Sequence, residues 1–303
     1  MPSVTRVVRF FEPIIIDGQG QHQTISSNFW PLTWTHVDGL PLDERIHRYN
    51  NVRFFGHARR LQSPAMPWLY VGRLRPAADH PDGFRPGEGI TGPLQPAQAG
   101  DEISEPTFII PFGGRNYVAM MSPTSGATRV QAIERWINLS LGLHLKGQEL
   151  SLLPLVDRKM LEKLEASPGA TRLHVRVAPG VEVPDDMPGQ MMKAVHDAVE
   201  LAPDDLFTEL TWSAGRRKGT AASRSDLLVS TRSVWTGGWA EKAEVNLQVE
   251  DEDGDVRTEV HRLVNDRIAI KTTFDVPENE PPSEESVLKG MQDAIEQFNK
   301  QQT

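Results

Sequence analysis

The sequence contains no cysteine. Disulfides, cysteine–zinc centres and thiol nucleophiles are therefore excluded. No apolar run approaches the ~20 residues that a membrane-spanning helix needs. Met1 to Phe11 carries Arg6 and Arg9 but neither an apolar signal core nor a small-residue cleavage site, so the expected compartment is the cytoplasm. An excess of one charge sign is also missing from most of the chain. Residues 241–303 hold 16 acids and 7 bases, which is the whole net charge of −9, and residues 1–240 hold 25 of each. The acidity belongs to the C-terminal fifth, and a basic patch elsewhere remains open to phosphates because screening separates distant faces.

Signatures of chemistry are missing as well. Gly18-Gln19-Gly20 follows the strand-like run Pro13–Asp17 but lacks the third glycine and the helix of a dinucleotide fingerprint, and reads as a polar turn. Gly215–Thr220 has the composition of a P-loop but not its glycine-to-lysine spacing. Asp251-Glu252-Asp253-Gly254-Asp255 hints at a calcium loop, yet its glycine is fourth rather than sixth and Arg262 stands where the bidentate glutamate belongs. It reads as a hairpin turn. His36, His47, His57 and His80 lack the i, i+4 spacing of a helical metal pair, while His174 and His261 fall on strand faces. Ser125 and Ser223 form no nucleophile elbow, and Asp185-Asp186 are adjacent, so their side chains diverge. These patterns predict no enzyme, metal or cofactor, although a nuclease assembled from distant carboxylates stays open.

What is present is a globular mixture of elements. The 303 residues suit one large domain or two ordinary ones, and 38% hydrophobic with 24% charged is an ordinary balance. Arg73–Glu105, rich in Pro, Gly and acid, reads as a long excursion. Thr107–Phe112 and Asn116–Met121 flank Gly113-Gly114 as a hairpin. Val130, Ile133, Trp136, Ile137 and Leu141 share a helix face that stops at Gly142. A short helix near Asp157 carries Met160, Leu161 and Leu164, and Ser167-Pro168-Gly169 breaks it. Leu173, Val175 and Val177 alternate with Arg172, His174 and Arg176 as a half-buried strand. Pro188 precedes a helix with Met191, Val195, Ala198 and Val199. Val245–Val249 and Val256–Val260 alternate on two strands, Arg267–Thr273 suits a third, and Ser283 caps a terminal helix with Val287, Met291, Ile295 and Phe298. The expectation is an α+β protein with mixed or antiparallel sheets and packed helices. Its two parts are residues 1–170 and 171–303, the second with the acidic hairpin and the terminal helix.

Basic residues carry the functional signal. Arg216, Arg217, Lys218 and Arg224 fall within nine residues that also contain Gly215, Gly219, Thr220 and Ser223. Guanidinium groups and hydroxyls on a loop suit phosphate oxygens. Arg232 and Lys242 follow, and Arg172 and Arg176 add a basic strand face. An ordinary solvated loop is the plainer reading of the same residues. Trp212, Trp235 and Trp239 interleave with these bases and suit either base stacking or, more commonly, core packing or a dimer contact.

Three stretches carry a resemblance. They are Glu105–Phe112, then Ser122-Pro123-Thr124-Ser125 with its helix and Gly147–Leu155, then the hairpin around Asp251–Glu259 with its preceding strand and the final helix. On these, the chain from about Ile103 onward resembles RexA, the DNA-binding sensor of the lambdoid phage-exclusion pair, with a looser likeness to the KwaB component of the Kiwa antiphage system. The resemblance implies a homodimer that binds double-stranded DNA with little sequence preference. It also implies a RexB-like integral-membrane effector and a phage protein–DNA complex as trigger. The family's basic stretch aligns with Phe207–Val229, which contains Arg216, Arg217, Lys218 and Arg224. The family also presents bases on the strand entering the hairpin, where Gln248 and Glu250 stand here. The expected DNA contacts are therefore Arg216, Arg217, Lys218, Arg224, Arg232, Lys242, Arg172 and Arg176. Two other functions remain open on the residues alone: an antiphage nuclease or nucleotide-processing enzyme, and a module that recognises a phage protein.

Overall fold

The structure, a computed structural model, describes residues 3–49, 51–62, 65–75, 82–85, 89–93, 102–122, 129–156, 158–184, 187–203, 205–215, 219–237, 239–250, 255–263, 268–275 and 283–302. It is α+β, as its sequence predicts, with antiparallel sheets and helices packed on them. The chain forms two compact units. Unit 1 is Met1–Leu152 with Ile270–Thr303, and unit 2 is Leu153–Ala269. This division differs from the expected boundary near residue 170, which falls inside a strand, and the terminal helix belongs to the first unit.

Unit 1 contains β1 (Ser3–Asp17), β2 (His22–Thr24), α1 (Phe29–Gly39), β3 (Ile46–Tyr49), β4 (Val52–Gln62), β5 (Ala65–Arg75), β6 (Asp82–Arg85), β7 (Gly89–Pro93), β8 (Ile103–Phe112), β9 (Tyr117–Met121), α2 (Val130–Ser140) and β10 (Gln148–Pro154). Beyond unit 2 the chain returns as β15 (Ala269–Asp275) and α6 (Glu284–Gln302). The main sheet runs β10-β1-β9-β8-β5-β4-β3, and β2 and β15 also pair with β1. The region Arg73–Glu105 is shorter as an excursion than its composition suggests, because Arg73–Arg75 pairs with Ile103–Glu105. Arg267–Thr273 does contain a strand, but it joins β1 rather than the C-terminal hairpin.

Both faces of this sheet are covered, which explains why neighbouring residues of β1, Phe10 with Phe11 and Ile14 with Ile15, are buried together. Phe11, Ile15, Leu69, Ile109 and Val118 pack against Trp30, Trp34 and Val37 of α1 and Ile133, Trp136 and Ile137 of α2. On the opposite face Phe10 stacks on Phe298 of α6 at 4.6 Å, and Phe112 meets the same ring edge-on. Two of the buried indoles find acceptors: Trp34 donates to Trp68 O at 3.0 Å and Trp136 to Arg45 O at 2.9 Å. Gly56 on β4 makes room for Trp136, whose indole lies 1.8 Å from where a Cβ would stand.

Unit 2 follows with α3 (Arg158–Ala166), β11 (Gly169–Val177), α4 (Gln190–Leu201), β12 (Thr208–Ser213), α5 (Ala221–Gly237), β13 (Lys242–Glu250) and β14 (Val256–Arg262). Its antiparallel sheet has the order β12-β11-β13-β14. Leu173, Val175, Val177, Val245 and Leu247 face one side and pack against Leu164, Val195, Leu227, Val234 and Trp235 of the helices. Strand alternation turns Arg172, His174, Arg176, Glu244 and Asn246 to the opposite, uncovered side. No described helix is long and apolar enough to cross a membrane.

Candidate nucleic-acid interface

Strand register decides what shares the open face of unit 2. Arg172 sits between Ser213 of β12 and Asn246 of β13, His174 between Thr211 and Glu244, and Arg176 between Glu209 and Lys242. The predicted strand bases Arg172, Arg176 and Lys242 therefore do come together on one face. Arg262 of β14, which sequence reasoning missed, joins them beside Glu244. Its signal was available in the alternation of β14, but residue 262 was read only against a calcium loop.

The two ends of that face differ electrostatically. At one end Arg176 Nε lies 3.4 Å from Glu209 Oε1 and 3.3 Å from Glu241 Oε2, with its guanidinium 4.0 Å over the Phe207 ring. Lys242 and Arg262 both approach Glu244 Oε1, at 3.6 and 3.4 Å. Each of these cations has a carboxylate beside it, so a polyanion gains little there. At the other end Arg172 is exposed and makes no ion pair among the described residues.

That second end is also where the basic loop departs. Ser213, the register partner of Arg172, closes β12, and Ala214 N donates to Thr171 O at 2.8 Å. Gly215 and Gly219 adopt φ of +63° and +65°, a backbone suited to glycine, and bracket Arg216, Arg217 and Lys218. Those three residues lie outside the described residues. The chain then enters α5, where Thr220 Oγ1 accepts from Ser223 N at 3.1 Å as an N-cap. Arg224 in the first turn donates to Gly219 O at 3.0 Å. Gly169 lets this turn lie against β11, since a Cβ there would come within 2.7 Å of Arg224 Cβ. The positive end of the α5 dipole, Arg224, Arg172 and the ends of the basic loop thus lie toward the same end of the β11–β12 pair, with Arg172 on the open face of the sheet and α5 on the other.

Arg232 does not join them. It lies about three turns along α5 and reaches toward Leu164 O at 3.5 Å, on the helical layer. Of the readings open for the tryptophans, core packing, the commoner one, holds. Trp235 and Trp239 are buried core residues, and Trp212 is half-buried against the same core. Their spacing among bases reflects α5 and β12 turning one face inward.

Gly18-Gln19-Gly20 is a turn in which Asp17 Oδ1 accepts from Gln19 N and Gln21 N, both at 2.9 Å, and these bonds hold its carboxyl below the usual range. His36 and His47 bond Ser140, and His57 Nδ1 lies 2.7 Å from Arg45 Nη1. Burial lowers the pKa of His47; burial and then the charges of Arg59 and Arg45 lower that of His57. His47 and His57 are thus half-buried histidines whose surroundings favour the neutral form. His196, Asp197 and Glu200 of α4 place ligand atoms within 4.8 Å of one another, on a helix face where solvated carboxylates are ordinary. Of the acidic hairpin, Asp251–Gly254 lies outside the described residues, as does Asp185-Asp186. Compared with known families and characterised proteins, the chain matches no family model and no curated protein.

Proposed function

We propose that this protein binds double-stranded DNA through its phosphate backbone, without reading sequence and without catalysis, at the end of unit 2 where β11, β12 and α5 meet. The observation that carries the reading is that exposed Arg172, half-buried Arg224, the N-terminus of a 17-residue helix, and Gly215 and Gly219 on either side of Arg216-Arg217-Lys218 all lie toward that end. Helix N-termini and arginine forks suit phosphate oxygens and are indifferent to base identity. The resemblance to RexA-like exclusion sensors supports the wider role. In that role a cytoplasmic homodimer engages DNA, or a phage protein–DNA complex, and signals to an integral-membrane effector in a prophage-encoded defence.

The reading divides the expected contacts. Arg172, Arg216, Arg217, Lys218 and Arg224 carry binding, whereas Arg176, Lys242 and Arg232 contribute little because neighbouring carboxylates or the helical layer occupy them. Gel-shift titrations on a duplex of arbitrary sequence test this at two salt concentrations. Each lost phosphate contact lowers the slope of log affinity against log salt by about 1. The triple variant R216E/R217E/K218E is expected to bind at least ~100-fold more weakly with a shallower slope, and R176E/K242E to stay within about threefold of wild type. Unchanged affinity in the triple variant would refute the site. Loss of the duplex on adding magnesium would favour the nuclease reading instead.

A further inference from the structure

Two strands bound the sheet of unit 2, β12 and β14. β14 pairs with β13 over seven residues without a bulge, and among the described residues its backbone bonds only to β13. Elsewhere the chain covers a sheet edge with side chains. At β10, Asn138 Oδ1 accepts from Leu150 N at 2.7 Å, Asn138 Nδ2 donates to Leu150 O at 3.1 Å, and Glu134 accepts from Leu152 N. β14 has no proline or bulge to blunt it, and it exposes two valines, Val256 at 47% and Val260 at 65%. A straight edge bearing apolar side chains is a template for another strand.

We infer that β14 is the interface with a second copy of this chain, the two strands pairing antiparallel about a two-fold axis at Thr258. Residues equidistant from Thr258 then face one another. Val256 meets the second copy's Val260, Arg257 meets Glu259, and Thr258 meets itself. Both valines gain apolar partners, and Arg257 and Glu259, which already pair at 3.0 Å within one chain, each gain a further opposite charge across the axis, the cross-strand pairs that stabilise antiparallel sheets. Neighbouring registers fail. An axis at Glu259 sets that residue against itself and Arg257 against His261, and an axis at Arg257 opposes two arginines and sets Asp255 against Glu259.

The contact is isologous and closes at two copies. It joins two four-stranded sheets into one of eight. Antiparallel partners turn the same face to the same side, so the two open faces carrying Arg172 become continuous. The inference supplies the interface of the dimer proposed above and rests on that reading for its second copy.

Sedimentation equilibrium of the full chain at micromolar concentration, without DNA, tests it. Wild type is expected to have the mass of a dimer. Arg257→Glu and Glu259→Arg are each expected to be monomeric, because each sets like charges across the axis. An equimolar mixture of the two is expected to regain the dimer mass, since every reversed residue then faces an opposite charge. Glu259 also bonds Lys163 at 3.0 Å within its own chain, so Val260→Lys serves as a second disrupting variant, with circular dichroism to show that each variant is folded. A monomeric wild type, single variants of unchanged mass, or a mixture that stays monomeric would overturn the proposal. A monomer that still shifts DNA would overturn this interface and leave the DNA reading standing.

Discussion

Glu134 ties the stability of unit 1 to pH. It lies on α2 with its carboxylate against β10, accepting from Leu152 N at 2.5 Å and Ser151 Oγ at 3.3 Å. Burial pushes its pKa up from 4.5 to about 7, the two hydrogen bonds pull back part of that rise, and Glu149 adds to it. The unfolded chain releases the same proton near 4.5. Between those values the native chain holds a proton that the unfolded chain has lost, so stability falls as pH rises from about 4.5 to 7 and is level on either side. A gap of about 2.5 pH units at about 1.4 kcal/mol each corresponds to about 3 kcal/mol. The side chain is only half-buried by surface area, so solvent screening reduces the expected effect to about 1–2 kcal/mol. Glu134→Gln removes the titration and keeps an oxygen for Leu152 N–H. The assay is urea unfolding at about pH 5 and pH 8, followed by tryptophan fluorescence; four of the seven tryptophans, Trp30, Trp34, Trp68 and Trp136, are in unit 1. Wild type is expected to lose about 1–2 kcal/mol more than the variant across that interval. Equal pH dependence in both proteins would refute the reasoning.

Two further outcomes follow from packing. Gly56→Ala sets a methyl group 1.8 Å from the Trp136 indole, so β4 and α2 must separate; the expected loss is about 3 kcal/mol, read as a fall of about 6–12 °C in Tm. Trp136→Phe and Trp235→Phe delete equally buried indoles, but Trp136 donates to Arg45 O while Trp235 Nε1 has no hydrogen-bond partner among the described residues. Chemical denaturation is therefore expected to show Trp136→Phe as the costlier change by about 1 kcal/mol or more.

Local patterns were legible wherever one residue type answers one local demand. The 3.6-residue spacing of Val130, Ile133, Trp136 and Ile137 gives α2, and Gly142 ends it at φ +59°. Gly113-Gly114 turns the β8–β9 hairpin. Ser283 caps α6, its Oγ accepting from Ser286 N at 3.2 Å. The unit boundary was not legible. β15 pairs with β1 across some 250 residues of chain, and its alternation fits any sheet with a free edge. For the tryptophans the sequence left core packing beside base stacking for a related reason: interleaving with bases says nothing about which face of α5 turns inward.

The sequence by itself determined the α+β class, the strand faces and the cluster of bases, because side-chain period and residue chemistry are local properties. It also determined the self-complementary pattern about Thr258. Only the tertiary structure decided which bases stand without a carboxylate. Arg172 and Arg176 lie four residues apart on one strand face and look alike in sequence. Glu209 and Glu241, brought in from β12 and the chain entering β13, neutralise the second and leave the first exposed opposite Ser213 at the end of β12. Coulomb interactions depend on distance in space, and strand order sets that distance.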